Sequence, residues 1–261
     1  MLNSLRTFRS YTKIALSLTA VSLLLSILSA AIAFQNGYYA VTPLTVIKNV
    51  ISVLSLAFLL LFPLWVKDSP RATADAPSPM LPCLAVALCL LLCFISLIRT
   101  AALVAAPTLL FVLAFLSLPL SLLFFVLQAL PRRNVTPLAF ALLGGAFLLT
   151  LTSLLCLTYF DTAVAMNSPL KLGLHLSLIA AMLSTLQLLK ARAGAPRPRS
   201  FLAFSAASLF LCLTKGAEGL LLLLAEGTSA PLFFAAYLLL ISLAVYTAVP
   251  LAGSSLSDNE K

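Results

Sequence analysis

Residues 107–130 read PTLLFVLAFLSLPLSLLFFVLQAL, a run of 24 residues without a charged side chain. About 20 consecutive apolar residues are enough for a helix to cross the hydrocarbon core of a bilayer. Seven further apolar runs fill most of the remaining chain, at residues 13–34, 44–66, 80–98, 137–159, 169–189, 201–225 and 230–251. We therefore expect an all-α fold, a polytopic membrane helix bundle with eight transmembrane helices.

The composition supports the same class of protein. Hydrophobic residues make up 62% of the 261 residues and charged residues only 9%, whereas soluble domains carry about 25% charged residues. The connections between the runs are too short to bury a soluble core, so residues 1–261 are predicted to form a single integral membrane domain. The first run is longer than the apolar core of a signal peptide, and we expect it to be retained.

Basic residues indicate the orientation of the chain. With the N-terminus placed in the cytoplasm, the inner segments hold twelve of them: Arg6, Arg9, Lys13, Lys67, Arg71, Arg132, Arg133, Lys190, Arg192, Arg197, Arg199 and Lys261. The outer ends hold only Lys48, Arg99 and Lys171. This bias follows the positive-inside rule and predicts a multi-pass cell-membrane protein with both termini cytoplasmic. The net charge of +9 is thereby explained by the lipid bilayer as partner, and nucleic acid is not expected.

The two halves of the chain share a spaced pattern that suggests a duplication. Five residues of the first half, Phe34, Pro43, Leu44, Pro70 and Arg71, recur at one constant offset as Phe160, Pro169, Leu170, Pro196 and Arg197. The offset carries one block of four spans onto the next. Because four is even, residues 12–130 and 136–256 would form a 4+4 parallel tandem repeat, as in some transporters.

Four helix starts are marked by a hydroxyl residue followed by proline: Thr42-Pro43, Ser78-Pro79, Thr136-Pro137 and Ser168-Pro169. The hydroxyl can accept a hydrogen bond from a free backbone N–H of the first turn. Proline suits the next position because its missing N–H would have had no partner there.

The seventh run contains the charged pair Lys215 and Glu218, and the sixth run starts with Lys171 and the only histidine, His175. Consecutive spans are antiparallel, and at 1.5 Å per residue His175, Lys215 and Glu218 fall at about one depth, with His175 and Lys215 roughly 8–9 Å below the outer boundary. The remaining candidate binding residues are Tyr237 at a similar level, Asp161 just above it, and Glu226 at the outer end of the seventh run.

Three interpretations of this polar group stay open. Lys215 and Glu218 lie three residues apart and can neutralise each other as a structural ion pair. An intramembrane ionisable residue is also a default functional site, which favours an outward-facing polar pocket for a small polar or charged solute. The third is that the glycine-rich stretch 215–219 breaks or shortens the seventh helix.

The preferred functional hypothesis is that the chain binds or transports such a solute. The alternative is a non-transporting accessory, assembly or sensing subunit that acts through a membrane or cytoplasmic protein partner. An enzyme is not expected, because one histidine and no nucleophile or metal motif offer no catalytic set. Five cysteines lie inside apolar runs without a CxxC motif, so they are interpreted as small buried residues, and no metal or cofactor is predicted.

Overall fold

The computed structural model describes residues 8–36, 42–66, 80–101, 104, 106–130, 136–165, 168–193, 198–226 and 230–253. In these ranges the chain forms eight α-helices: α1 (Phe8–Asn36), α2 (Pro43–Leu61), α3 (Met80–Thr100), α4 (Thr108–Ala129), α5 (Pro137–Phe160), α6 (Pro169–Arg192), α7 (Pro198–Glu226) and α8 (Pro231–Gly253). A short 3-10 helix, Phe62–Trp65, continues α2. All eight helices are long and apolar enough to cross a membrane, so the predicted bundle is confirmed.

Three of the four predicted helix starts are confirmed at the level of single hydrogen bonds. The side-chain oxygens of Thr42, Thr136 and Ser168 accept from backbone N–H groups two or three residues downstream, at 3.2–3.3 Å. Proline occupies the first turn of each of these helices. The fourth start, Ser78-Pro79, lies outside the described residues.

Successive helices run in opposite directions, so the bundle has two ends. We call one the Asp161 end, after the residue that caps the C-terminus of α5, and the other the Arg192 end, after the last residue of α6. The sequence predicts that the Asp161 end is external. That orientation and the duplication of residues 12–130 in 136–256 stay predictions.

Helix α7 is the centre of the bundle. It packs against α1, α2, α6 and α8, while α8 also packs against α3, and α4 lies between α3 and α5. Helix α2 sits at the periphery, where Lys48, Ser55 and Leu59 form its buried face. Seven of its other side chains are large, apolar and exposed, as expected for a helix that faces lipid.

One tertiary hydrogen bond shows how a proline is accommodated inside the second span. The Leu59 carbonyl would normally accept the N–H of the residue four positions later, but that residue is Pro63, which has none. The Tyr11 hydroxyl of α1 donates to this carbonyl at 2.9 Å. The Tyr11 side chain is fully buried, and its ring stacks on Phe62 with centroids 6.0 Å apart. Tyr11 therefore joins α1 to α2 at the Arg192 end.

We expect Tyr11→Phe to lower the free energy of unfolding by about 1–3 kcal/mol, because the buried Leu59 carbonyl loses its donor. Tyr159→Phe is the matched control, since Tyr159 is 45% exposed. Unfolding by denaturing detergent in mixed micelles, followed by circular dichroism, measures both variants. Equal losses in the two variants would contradict a specific role for the Tyr11 hydroxyl.

Candidate functional site

Three charged side chains meet near the Asp161 end, and we call them the Glu218 cluster: Lys48, Lys215 and Glu218. Glu218 Oε1 accepts from Lys48 Nζ at 2.5 Å, and Glu218 Oε2 accepts from Lys215 Nζ at 2.9 Å. The contact between Lys215 and Glu218 agrees with the pairing expected from their spacing. Lys48 comes from α2, 170 positions away from Glu218 in sequence, and was not among the predicted site residues.

The position of Lys48 follows from its place on α2. It is the only charged residue of that helix, and it lies seven and eleven residues before Ser55 and Leu59 on the one buried face. Its neighbours Ile47 and Asn49 point outward. The signal in the sequence was that this lysine lies on the same helical face as the residues that α2 buries. The positive-inside count had instead assigned Lys48 to the outer end of a span.

The cluster lies below the end of the bundle rather than at its rim. Lys48 is five residues from the start of α2, about 8 Å along the helix axis, and Glu218 is eight residues from the end of α7, about 12 Å. The exposed fractions of the side chains are 5% for Lys48, 13% for Glu218 and 23% for Lys215. A lone charge costs about 2.5–3.5 kcal/mol to insert at the centre of a transmembrane helix, and mutual pairing reduces the cost of placing these charges inside the bundle.

A small cavity of about 10 Å³ borders Lys215 and Glu218, with walls from α6, α7 and α8. It has room for about one water molecule. The ring of Tyr237 forms the α8 wall, and its hydroxyl donates to the Leu170 carbonyl of α6 at 2.7 Å. A Cβ atom added to Gly219 would overlap this ring, so the ring rests directly on the α7 backbone.

The glycines of the 215–219 stretch serve close helix packing. Helix α7 continues without interruption through this stretch to Glu226, so the interpretation of a broken or shortened seventh helix is wrong. Gly216 admits Ile241 of α8, whose Cγ1 would lie 3.0 Å from an added Cβ. Gly219 admits Tyr237 in the same way. Small residues allow two transmembrane backbones to approach each other closely.

Lys171 and Asp161 hold the connection between α5 and α6. Lys171 Nζ donates to the backbone carbonyls of Asp161 at 2.8 Å and Val164 at 3.3 Å. The Asp161 carboxylate accepts from the backbone N–H of Ala163 at 2.9 Å. Both side chains are buried. Their described contacts stabilise this loop, and neither side chain lines the cavity beside Lys215.

His175 faces α5 as well. Its Nε2 atom lies 3.2 Å from the Thr158 hydroxyl, and its ring centroid is 6.3 Å from that of Tyr159. The opposite side of α6 faces α7, where the aliphatic part of Lys215 packs against Gly173. His175 therefore lies at a depth similar to that of the Glu218 cluster, but its side chain contacts Thr158 of α5.

The predicted site residues thus divide into two groups. Lys215, Glu218 and Tyr237 border the cavity, whereas Lys171, Asp161 and His175 lie around the α5–α6 connection. Glu226 is the last residue of α7, about 12 Å beyond Glu218 along the axis. Its side chain is outside the described part of the chain.

The fold and the cluster define a multi-pass membrane protein with a buried group of charges near one end of the bundle. No family model matches this chain, and no curated protein or solved structure is significantly similar to it. The chemistry of the site must therefore be argued from its own residues. Two ammonium groups share one carboxylate, which leaves one formal positive charge in a poorly solvated place.

Proposed function

We propose that this protein binds a small monoanion beside Lys215 and transports it across the membrane. The single observation that carries the proposal is the charge imbalance of the Glu218 cluster, two lysines against one carboxylate. Excess charge in a low-dielectric environment is costly unless it is paired. A bound monoanion would make the cluster neutral, so the protein itself supplies the driving force for anion binding.

Lys215 is the group that would receive the anion. It borders the cavity, and it is the most exposed member of the cluster, whereas Lys48 is almost fully covered and already paired with Glu218. An ammonium group has three donors, so Lys215 can keep its bond to Glu218 and donate to an anion as well. A charge-assisted hydrogen bond of this kind contributes about 1.5–3 kcal/mol.

The small cavity limits the size of the solute. With room for about one water molecule, it suits a monatomic anion such as chloride, and a larger solute would have to displace the Tyr237 ring. In the orientation that the basic residues predict, this site faces the outside of the cell membrane, and both termini face the cytoplasm. The solute would then enter from the external side.

We expect Lys215→Met to reduce the uptake of radiolabelled chloride into proteoliposomes by about tenfold or more, because one charge-assisted hydrogen bond is lost. Methionine keeps an unbranched apolar stem and lacks only the terminal ammonium group, so packing against Gly173 is retained. Lys190→Met is the control, since Lys190 is exposed at the Arg192 end.

Uptake by the wild-type protein that is no faster than in empty liposomes, or equal uptake by the wild type and Lys215→Met, would overturn the proposal. That outcome favours the alternative of an accessory subunit that acts through a protein partner. Co-purification in mild detergent followed by mass spectrometry would then be the direct measurement. In that case the Glu218 cluster is a structural ion group.

A further inference from the structure

A second, larger cavity of about 40 Å³ lies between α6, α7 and α8, closer to the Arg192 end. Six of its ten lining residues carry a hydroxyl group: Ser184, Thr185, Ser205, Ser208, Tyr246 and Thr247. Ser184, Ser205 and Ser208 are buried. None of the sequence predictions drew on this cavity, because scattered serines and threonines are common in transmembrane helices and carry little signal.

The two cavities are stacked along the same three helices. On α7, Ser208 of the second cavity and Lys215 of the first are seven residues apart, which corresponds to about 10 Å. On α6, Gly173 borders the first cavity and Ala181 the second, eight residues or about 12 Å apart. Both cavities have walls from α6, α7 and α8, so they lie on one line across the bundle.

Ser177 of α6 lies between Gly173 and Ala181 along the helix, and Cys212 of α7 lies between Ser208 and Lys215. Ser177 Oγ donates to the carbonyls of Gly173 at 2.8 Å and of Leu211 at 3.1 Å. Cys212 Sγ donates to the Ser177 carbonyl at 3.5 Å. Both side chains are fully buried. This reciprocal pair of bonds joins α6 to α7, and we call it the Ser177–Cys212 layer.

We infer that the hydroxyl-lined cavity is a second anion site and that the Ser177–Cys212 layer is the barrier an anion crosses between the two sites. The inference rests on the proposed function and adds the route of the anion and its second binding site. Thr185, Tyr246 and Thr247 already donate to other groups, so the serine hydroxyls are the donors that would meet an anion. A neutral hydroxyl attracts an anion less strongly than a lysine does. Ser184 and Ser205 are only loosely joined, at 3.5 Å, so both hydroxyls can turn toward a ligand.

The first experiment separates binding from movement. Ser205→Val places two methyl groups where the cavity hydroxyl was and leaves the Glu218 cluster untouched. We expect chloride uptake to fall about tenfold, equivalent to one lost stabilising contact on the route. Chloride that binds at the Glu218 cluster should stabilise the folded protein, and we expect it to raise the melting temperature of the variant as much as that of the wild type. Ser153→Val is the control, because Ser153 is an equally buried serine of α5 outside the proposed route.

The second experiment measures the accessibility of the Ser177–Cys212 layer through the reaction rate of the Cys212 thiol. In a chain whose other cysteines, Cys83, Cys89, Cys93 and Cys156, are replaced by alanine, we expect chloride to accelerate the modification of Cys212 by a small methanethiosulfonate reagent. A chain that keeps only Cys93 is the control. Cys93 is equally buried, on α3, and its reaction rate should not respond to chloride.

The outcomes distinguish the inference from the proposed function. One outcome would overturn this route and leave the proposed function intact. In it, uptake depends on Lys215, Ser205→Val takes up chloride normally, and the reaction rate of Cys212 does not change with chloride. Failure of Lys215→Met to change uptake would overturn both. If Ser205→Val does not fold, the reaction rate of Cys212 alone decides.

Discussion

Replacing Glu218 with glutamine should lower the free energy of unfolding by about 3–5 kcal/mol, the loss expected when one partner of a buried ion pair is removed. The substitution preserves size and shape but leaves Lys48 and Lys215 close together without a counter-charge. Removing one lysine is less harmful, because Glu218 then keeps the other as its partner. We therefore expect both Lys48→Met and Lys215→Met to cost less than Glu218→Gln.

A double variant tests this reasoning. Lys48 is almost completely covered, whereas Lys215 is 23% exposed and can extend its ammonium group toward the end of the bundle. Adding Lys48→Met to Glu218→Gln should therefore restore about half of the lost stability, since it removes the Lys48 charge, which cannot reach solvent. Unfolding by denaturing detergent gives all four free energies. Strict additivity of the two substitutions would show that the described ion pair contributes nothing.

The sequence was sufficient to predict the spans and their starts, because both depend on local properties. A run of about 20 apolar residues implies a transmembrane helix wherever it occurs, and a hydroxyl before proline predicts the first turn at Thr42, Thr136 and Ser168. The contact of Lys215 with Glu218 was equally accessible, since i,i+3 neighbours lie on one helix face. Each of these predictions needs only the residues of a single segment.

The remaining part of the site depends on how the helices are rotated about their axes. In lipid, a helix can be apolar on every side, so its hydrophobic pattern does not reveal which face meets a neighbour. Depth could be counted from helix starts, which placed His175 level with Lys215. The direction in which a side chain points could not be counted in this way, and His175 faces Thr158. The role of Lys48 required knowledge that α2 docks on α7.

The contact of Tyr237 with Gly219 makes the second large prediction. An added Cβ at Gly219 would overlap the tyrosine ring, so Gly219→Ala must push the ring away and break its hydrogen bond to the Leu170 carbonyl. Overpacking in a tight core costs about 1–3 kcal/mol, and loss of a buried hydrogen bond costs about 1–3 kcal/mol. We expect a total loss of about 3 kcal/mol, measured by unfolding in denaturing detergent.

Gly145→Ala is the matched control, because an added Cβ there meets nothing within 4 Å. It should be neutral or stabilise the helix by up to about 1 kcal/mol, since alanine replaces glycine in a helix interior. In a Tyr237→Leu background, Gly219→Ala should cost less than about 1 kcal/mol, because the rigid ring is gone. An equal cost of Gly219→Ala in both backgrounds would rule out the ring as its cause. Coupling between the two substitutions would establish Tyr237 as the wall that closes the cavity beside Lys215.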